Sequence, residues 1–400
     1  MKKVISHLLT SPLTLAIVVL MTISCVAIAS ATPIIQYPSP EGYWVKQAVF
    51  YTIGIIAALI VYSFKNERIY ALMWVIYGIL MVLLLGLAIE HYLITHYGIN
   101  LIPLAKNVNG ATSWYNLKVF DIQPSEFMKV CLALVLAKTV AKHNEKNPIH
   151  TISSDIVMIG KILLIIIPPC ILIYLQNDAG VTLIILATIV GVIFASGIQM
   201  RWFILATIAG LAILITGAYL FIYEHDVFVS IMGGDHKLGR FYGWLDPEGT
   251  VSTDGYQLFY AQLSYISAGI FGHGFQSSLM VYPEAQTDFI FAVIIQGWGL
   301  VGGLVALAAI AYFDFTIISI ALRSHNMVDK YFCGGLMGML IFQQLWNIGM
   351  ILGLVPITGI TLPFLSYGGS SILSYMIAVG ITFDIERQTR IQNGIKTYDF

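Results

Sequence analysis

The stretch VYPEAQTDFIFAVIIQGWG, Val281 to Gly299, sets two carboxylates, Glu284 and Asp288, just ahead of a long apolar run. An ionisable group at such an edge costs free energy unless it is hydrated, paired or neutralised, so it is a candidate for function by default. Partial burial would raise the pKa of Asp288 toward the range in which a carboxylate takes a proton from a hydroxyl. Thr-Asp ahead of FIFAV is also good helix-capping chemistry, and the residue types leave both readings open. Cations accompany these acids. HKLGRFYGWLDPEG holds Lys237, Arg240 and Asp246, and an arginine followed by aromatics suits a phosphate clamp with a wall for apolar tails, or ordinary loop solvation. GATSWYNLKVFDIQPSEFMK, Gly110 to Lys129, carries Trp114, Lys118, Asp121, Glu126 and Lys129. Glu126 and Lys129 share one helix face at three residues' spacing. They read as a structural ion pair at a membrane boundary, unless Lys118 or Lys129 meets an anionic head group. Asp178, in LQNDAGVTL, falls in a short turn between two apolar segments, where a lone aspartate suits the cap of the next helix.

These groups need a frame, and the frame is apolar. Hydrophobic residues make up 58% of the 400-residue chain and charged residues 10%, against about 25% charged in a soluble domain. Apolar segments of spanning length recur at roughly 12–31, 45–64, 69–89, 124–142, 156–175, 181–199, 203–222, 289–320, 331–352 and 369–385. The expected fold is an all-α polytopic membrane protein of about ten transmembrane helices. The eighth segment is longer than a bilayer needs, so it is expected to tilt or to project into water. The net charge of −1 leaves no basic footprint for nucleic acid. The four cysteines, Cys25, Cys131, Cys170 and Cys333, all lie in apolar runs and match neither a zinc site nor a disulfide framework.

Lysine and arginine set the expected orientation. With the N-terminus in the cytoplasm, the inner segments hold Lys2, Lys3, Lys65, Arg68, Lys138, Lys142, Lys146, Arg201, Arg323, Lys330, Arg387, Arg390 and Lys396, which is most of the 20 basic residues. Both termini are then cytoplasmic, and extracytoplasmic loops run over about 90–123 and 223–288. The whole of 1–400 reads as one integral membrane domain. Residues 255–275 are apolar enough to tempt a further span, but their glutamines, serines and glycines suit an interfacial or re-entrant segment. GLVPITGITLPFLSYGGSSILSYM, Gly353 to Met376, breaks the helical pattern with Pro356, Gly359, Pro363, Gly368 and Gly369. Irregular backbone at membrane depth must be buried in protein or line a cavity. This segment is therefore expected to dip inward and wall a site, with Ser366, Tyr367, Ser370 and Ser371 offering hydroxyls. No Ser-His-Asp arrangement argues for a nucleophilic serine.

In order along the chain, NGATSW…QPSEFMK at 109–129, NDAGVTL at 177–183, GRFYGWLDP at 239–247, the 255–275 segment, PEAQTDFIFAV at 283–293 and NIGMILGLVPITGITLPFLSYGGSS at 347–371 resemble the SEDS family (shape, elongation, division and sporulation) of RodA, FtsW and SpoVE. The likeness covers nearly the whole chain, and NIGM and PITGI lean toward the RodA branch. It implies a multi-pass peptidoglycan glycosyltransferase of the bacterial cytoplasmic membrane that polymerises lipid II. A class B penicillin-binding protein, as transpeptidase, would be its partner in an elongation or division complex. The TDF aspartate, here Asp288, would be the catalytic residue and the general base for a sugar hydroxyl. Arg240, Lys118, Lys129 and Lys237 would face the lipid pyrophosphate, Trp114 and Tyr367 would line the cleft, and Glu284 and Ser366 complete the expected substrate-binding set. No cofactor is identified by spacing; a divalent cation could share the work on the pyrophosphate.

The chain also departs from the family pattern. Ile295-Gln296-Gly297-Trp298-Gly299 stands where GEELG is usual, Gln286 where PEAH has its histidine, and Gln176-Asn177-Asp178-Ala179-Gly180 where QPDLG is common. Two rivals stay in view. A lipid II flippase would use ionisable groups at midplane, for which Asp314 is the candidate, and a non-catalytic scaffold of the cell-wall complex would tolerate an isosteric change at Asp288.

Overall fold

The computed structural model describes residues 10–35, 42–108, 110–117, 120–232 and 235–394. The apolar segments become helices: α1 Pro12–Ala31, α2 Tyr43–Phe64, α3 Asn66–Tyr97, α4 Pro124–Lys146, α5 Ile152–Leu175, α6 Ala179–Ala195 and α7 Met200–Tyr223. Three shorter helices follow, α8 His225–Met232, α9 Asp235–Leu245 and α10 Tyr256–Ser267, and then α11 Ile290–Arg323, α12 Met327–Ile351 and α13 Gly369–Gln392. Each expected span coincides with one of the long helices. Six of them, α1, α2, α3, α5, α7 and α11, are long and apolar enough to cross a membrane by length and composition. The chain is a multi-pass membrane protein.

The bundle is built around α4, which packs against α3, α5, α6, α12 and α13. Every residue of α4 from Met128 to Ala137 is buried, as a helix enclosed on all sides requires. Contact between helices inside a membrane rests on close backbone approach, because lipid tails are as apolar as leucine. The α6–α12 crossing shows this: a Cβ on Gly191 would lie 2.2 Å from the Gly334 carbonyl oxygen and 2.9 Å from the Gly338 Cα. At the periphery, α7 buries none of its residues.

The connections depart from a simple helical reading in two ways. The 90–123 region contains a small antiparallel sheet, β1 Ala105–Val108, β2 Ala111–Asn116 and β3 Asp121–Ile122, in the order β1-β2-β3. The eighth expected span is broken. Gly299 has φ +64 and ψ −158, which divides α11 into two helical pieces. The break is spliced by the chain that follows α10. His273 and Gly274 donate their amides to the carbonyls of Gln296 and Gly297 at 2.8 and 2.9 Å, while Leu300 and Val301 donate to Gly269 and Ile270 at 3.0 and 3.2 Å. These four backbone groups at the break thus find partners. Helix α10 has 12 residues, about 18 Å of length, which is too short for a hydrocarbon core of about 30 Å.

Candidate active site

Asp288 lies in the turn that enters α11, and the turn is held from several sides. From α10, Gln257 Nε2 donates to the Pro283 carbonyl at 2.9 Å and Tyr256 Oη to that of Val281 at 3.0 Å. From α12, the buried Asn347 donates one Nδ2 to the carbonyl of Asp288 at 2.7 Å and to that of Ile360 at 2.8 Å. The Gly353–Gly368 segment supplies the rest: Ser366 Oγ donates to the Thr287 carbonyl at 2.6 Å and the Tyr367 amide to that of Gln286 at 2.8 Å. Glu284 sits at φ +56, an uncommon backbone for a side chain of its size, with Thr287 Oγ1 on its carboxylate at 2.7 Å.

The 353–368 segment dips inward, as its prolines and glycines predict. Leu362, Phe364, Leu365 and Ser366 are buried. Its irregular carbonyls are capped by side chains of neighbouring helices: Ser24 donates to Leu365, Gln47 to Ser366 and Tyr51 to Phe364. It forms one wall against Asp288. A Cβ on Gly359 would lie 3.5 Å from Asp288 Oδ2, so the absence of a side chain keeps this approach open. The N-terminus of α6 abuts the same wall, where a Cβ on Gly180 would meet the Thr358 carbonyl at 3.2 Å.

Asp288 does not act as a helix cap. Phe289 holds the N-cap position of α11 with no capping side chain, and among the described residues the Asp288 carboxylate accepts no hydrogen bond. Burial and, after it, the negative charge of Glu284 raise its pKa, the positive charge of Arg240 pulls it back, and the net places it at about 7. The carboxylate is therefore half-buried, lacks hydrogen bonds and is poised near neutrality. Arg240 is exposed on α9, and that helix is tied to the wall by Trp244, whose Nε1 donates to the Gly353 carbonyl at 2.8 Å.

The other expected residues fall into distinct places. Ser366 does not present a free hydroxyl. It accepts the Leu362 amide at 2.8 Å while donating to Thr287, so it positions the turn before Asp288. Lys129 is fully buried in α4, with its Nζ 3.0 Å from Glu126, 3.5 Å from Gln343 and over the Tyr375 ring. That is the ion-pair alternative, inside the bundle. Tyr367 packs on the rings of Tyr43 and Phe50 at 4.9 and 5.9 Å. Trp114 is half-buried on β2, opposite Lys106. Lys118 and the side chain of Lys237 lie outside the described residues. Asp178 caps α6 by accepting the Val181 amide at 3.2 Å and also accepts Gln123 Nε2 at 2.9 Å; burial raises its pKa. Asp314 accepts Gln344 Nε2 at 3.1 Å, an interhelical bond. Among the described residues no three histidine, cysteine or acidic side chains gather as a metal site.

Sequence reading missed Asn347, the residue that ties Asp288 to the wall. The signal was available: an asparagine inside an apolar span is costly unless it has partners.

The profile of the FtsW, RodA and SpoVE family, described as cell cycle proteins, matches residues 7–391. The chain belongs to this family. It is 29% identical to stage V sporulation protein E of Bacillus subtilis, an alignment covering 95% of this chain and 98% of that protein. It is 30% identical to the peptidoglycan glycosyltransferase MrdB of Escherichia coli, covering 70% and 72%. Among solved structures it is similar to a chain of a peptidoglycan synthase complex studied for the coordination of polymerization and crosslinking, with TM-score 0.74, 25% identity and coverage of 94% and 97%. The fold is also that of the rod shape determining protein RodA of Thermus thermophilus, with TM-score 0.62, 24% identity and coverage of 93% and 96%. In this FtsW/RodA/SpoVE protein the region that departs from the usual acidic pattern is the spliced break of α11. Gln296 is buried there and donates to the Ser277 carbonyl at 3.1 Å.

Proposed function

We propose that this FtsW/RodA/SpoVE protein is a peptidoglycan glycosyltransferase of the bacterial cell membrane that polymerises lipid II at the outer face, with Asp288 as general base. The observation that carries the reading is the carboxylate of Asp288: half-buried, without a hydrogen bond among the described residues, and raised to about 7. A general base works best with a pKa near the operating pH, because it is then both largely ionised and basic enough to take a proton.

The reaction follows from the substrates. The 4-hydroxyl of a lipid-linked acceptor sugar attacks the anomeric carbon of the donor as Asp288 removes its proton. The bond from that carbon to the pyrophosphate oxygen breaks with inversion, and the lipid pyrophosphate departs with the bonding electrons. This leaving group is an anion already, so it needs positive charge more than a proton. Arg240 supplies that charge, and its influence already reaches Asp288. A class B penicillin-binding protein is the fitting partner, since the product strands require crosslinking. Asp314, the one acid that favoured transport, is tied to Gln344 between helices, which gives it a packing role.

The test is polymerisation in detergent, where no flipping is needed. Wild type and Asp288→Asn are purified with the cognate penicillin-binding protein and given lipid II, and glycan is resolved on a gel. The reading expects polymer from wild type and none from a folded mutant. Equal polymer from both removes Asp288 from the chemistry. None from either, beside a working positive control, would move the protein to transport or scaffolding.

A further inference from the structure

At the opposite end of α4 from Asp288, four lysines surround a cavity of about 460 Å³. Lys138, Lys142 and Lys146 recur every fourth residue and share one face of α4, and Lys161 reaches in from α5. Like charges at this spacing repel, yet among the described residues none of the four forms an ion pair with a carboxylate. Lys138 donates to the Tyr70 carbonyl at 3.0 Å and Lys161 meets His143 Nδ1 at 3.2 Å, so the cluster is held in place by neutral partners. Met73 and Trp74 of α3 close the apolar side. Pro124 to Lys142 spans about 27 Å at 1.5 Å per residue, which separates this cluster from the Asp288 site.

A second cavity, of about 370 Å³, lies on the same α3–α5 seam and is apolar, lined by Met81, Val82 and Leu85 with Pro168, Ile171 and Leu172. Pro168 and Pro169 within α5 remove two helical donors. The carbonyl of Ile165, which Pro169 leaves without its amide, takes Tyr77 Oη at 2.7 Å, between the two cavities. From Trp74 to Leu85 the seam runs about 16 Å, close to one leaflet of a core about 30 Å thick.

We propose that this seam binds an anionic phospholipid of the inner leaflet, with its phosphate among Lys138, Lys142, Lys146 and Lys161 and an acyl chain along the groove past Tyr77. Basic pockets between membrane helices on the cytoplasmic side are suited to such head groups, and among the described residues no carboxylate balances the charge here. The inference does not rest on the glycosyltransferase reading.

The test is native mass spectrometry of the full-length protein in detergent, titrated with dioleoyl phosphatidylglycerol, dioleoyl phosphatidylcholine, the dihexanoyl form of phosphatidylglycerol, or inorganic pyrophosphate. Wild type should take one long-chain phosphatidylglycerol at a concentration at least tenfold below that needed for phosphatidylcholine. Lys142→Gln/Lys146→Gln/Lys161→Gln should lose that preference by tenfold or more. Arg68→Gln/Arg201→Gln/Lys330→Gln, which removes the same charge elsewhere, should keep it. Leu85→Trp fills the groove without touching the lysines and should weaken long-chain binding; with Lys161→Gln alone it decides the matter if the triple variant does not fold. Equal uptake of both dioleoyl lipids, or binding unchanged in these variants, overturns the site. Pyrophosphate or the dihexanoyl lipid binding as tightly as the long-chain lipid overturns it in favour of a soluble anion.

Discussion

Asp288 has two charged neighbours of opposite effect, and this makes its proposed role testable by pH. The base must be ionised to act, so polymerisation should rise with pH through about 7 and fall away below it. Glu284 pushes the pKa up, so Glu284→Gln should move the midpoint to lower pH; Arg240 pulls it down, so Arg240→Gln should move it to higher pH. Initial rates of glycan formation from pH 5 to 9 would read both shifts, and midpoints that stay fixed in both variants would detach the pH dependence from Asp288. Ser366 gives a prediction of another kind. Ser366→Ala leaves the Thr287 carbonyl and the Leu362 amide without their partner. That should cost about 1–3 kcal/mol and lower kcat more than it raises KM, because both bonds of the hydroxyl hold the turn before Asp288. A rise in KM at constant kcat would return Ser366 to substrate contact. Asp288 was legible in the sequence because a carboxylate beside an apolar run is expensive. The position of Ser366 was legible too, but its role depends on a carbonyl 79 residues away, which no local pattern encodes.

At the scale of elements, the helices follow from hydropathy with modest changes at their ends, since apolar length and backbone satisfaction leave few alternatives in lipid. The wall at 353–368 was also legible, because prolines and glycines interrupt a span. The break in α11 was not. LVGGLVAL after Gly299 continues the apolar run, and the hydrogen bonds at the break come from a glycine-rich segment that precedes it by roughly 25 to 30 residues, beyond the reach of a local pattern. A Cβ on Gly299 would lie 2.3 Å from the Ile270 carbonyl oxygen, and its φ is +64. Gly299→Ala should therefore destabilise the protein by at least the 1–3 kcal/mol typical of a strained backbone site. Gly210→Ala, in the middle of α7 with open space around it, should be neutral or slightly stabilising. Thermal unfolding in one detergent compares the two; equal melting temperatures would mean that α11 can close its break without the splice.

Over the whole molecule the chemistry divides between two ends. The free carboxylate, Arg240 and the inward wall lie at one end of α4, and the uncompensated lysines lie at the other. The separation yields an orientation, because positively charged segments are retained on the cytoplasmic side. Lys65, Arg68, Arg201 and Lys330 all lie at helix junctions of the lysine end, whereas Lys106 lies on β1 in the connection that leads back to α4 at the Asp288 end. A cysteine at Lys106 should then react in intact cells with a maleimide that does not cross membranes, and cysteines at Arg201 or Lys330 only after the cells are made permeable. Cys131 and Cys333 are buried in the bundle and Cys25 and Cys170 half-buried in apolar helices, so a wild-type control sets a low background. The reverse pattern would place Asp288 in the cytoplasm. It would remove the outer-face glycosyltransferase reading at once, because a base on the inner side could not meet an acceptor sugar presented at the outer face.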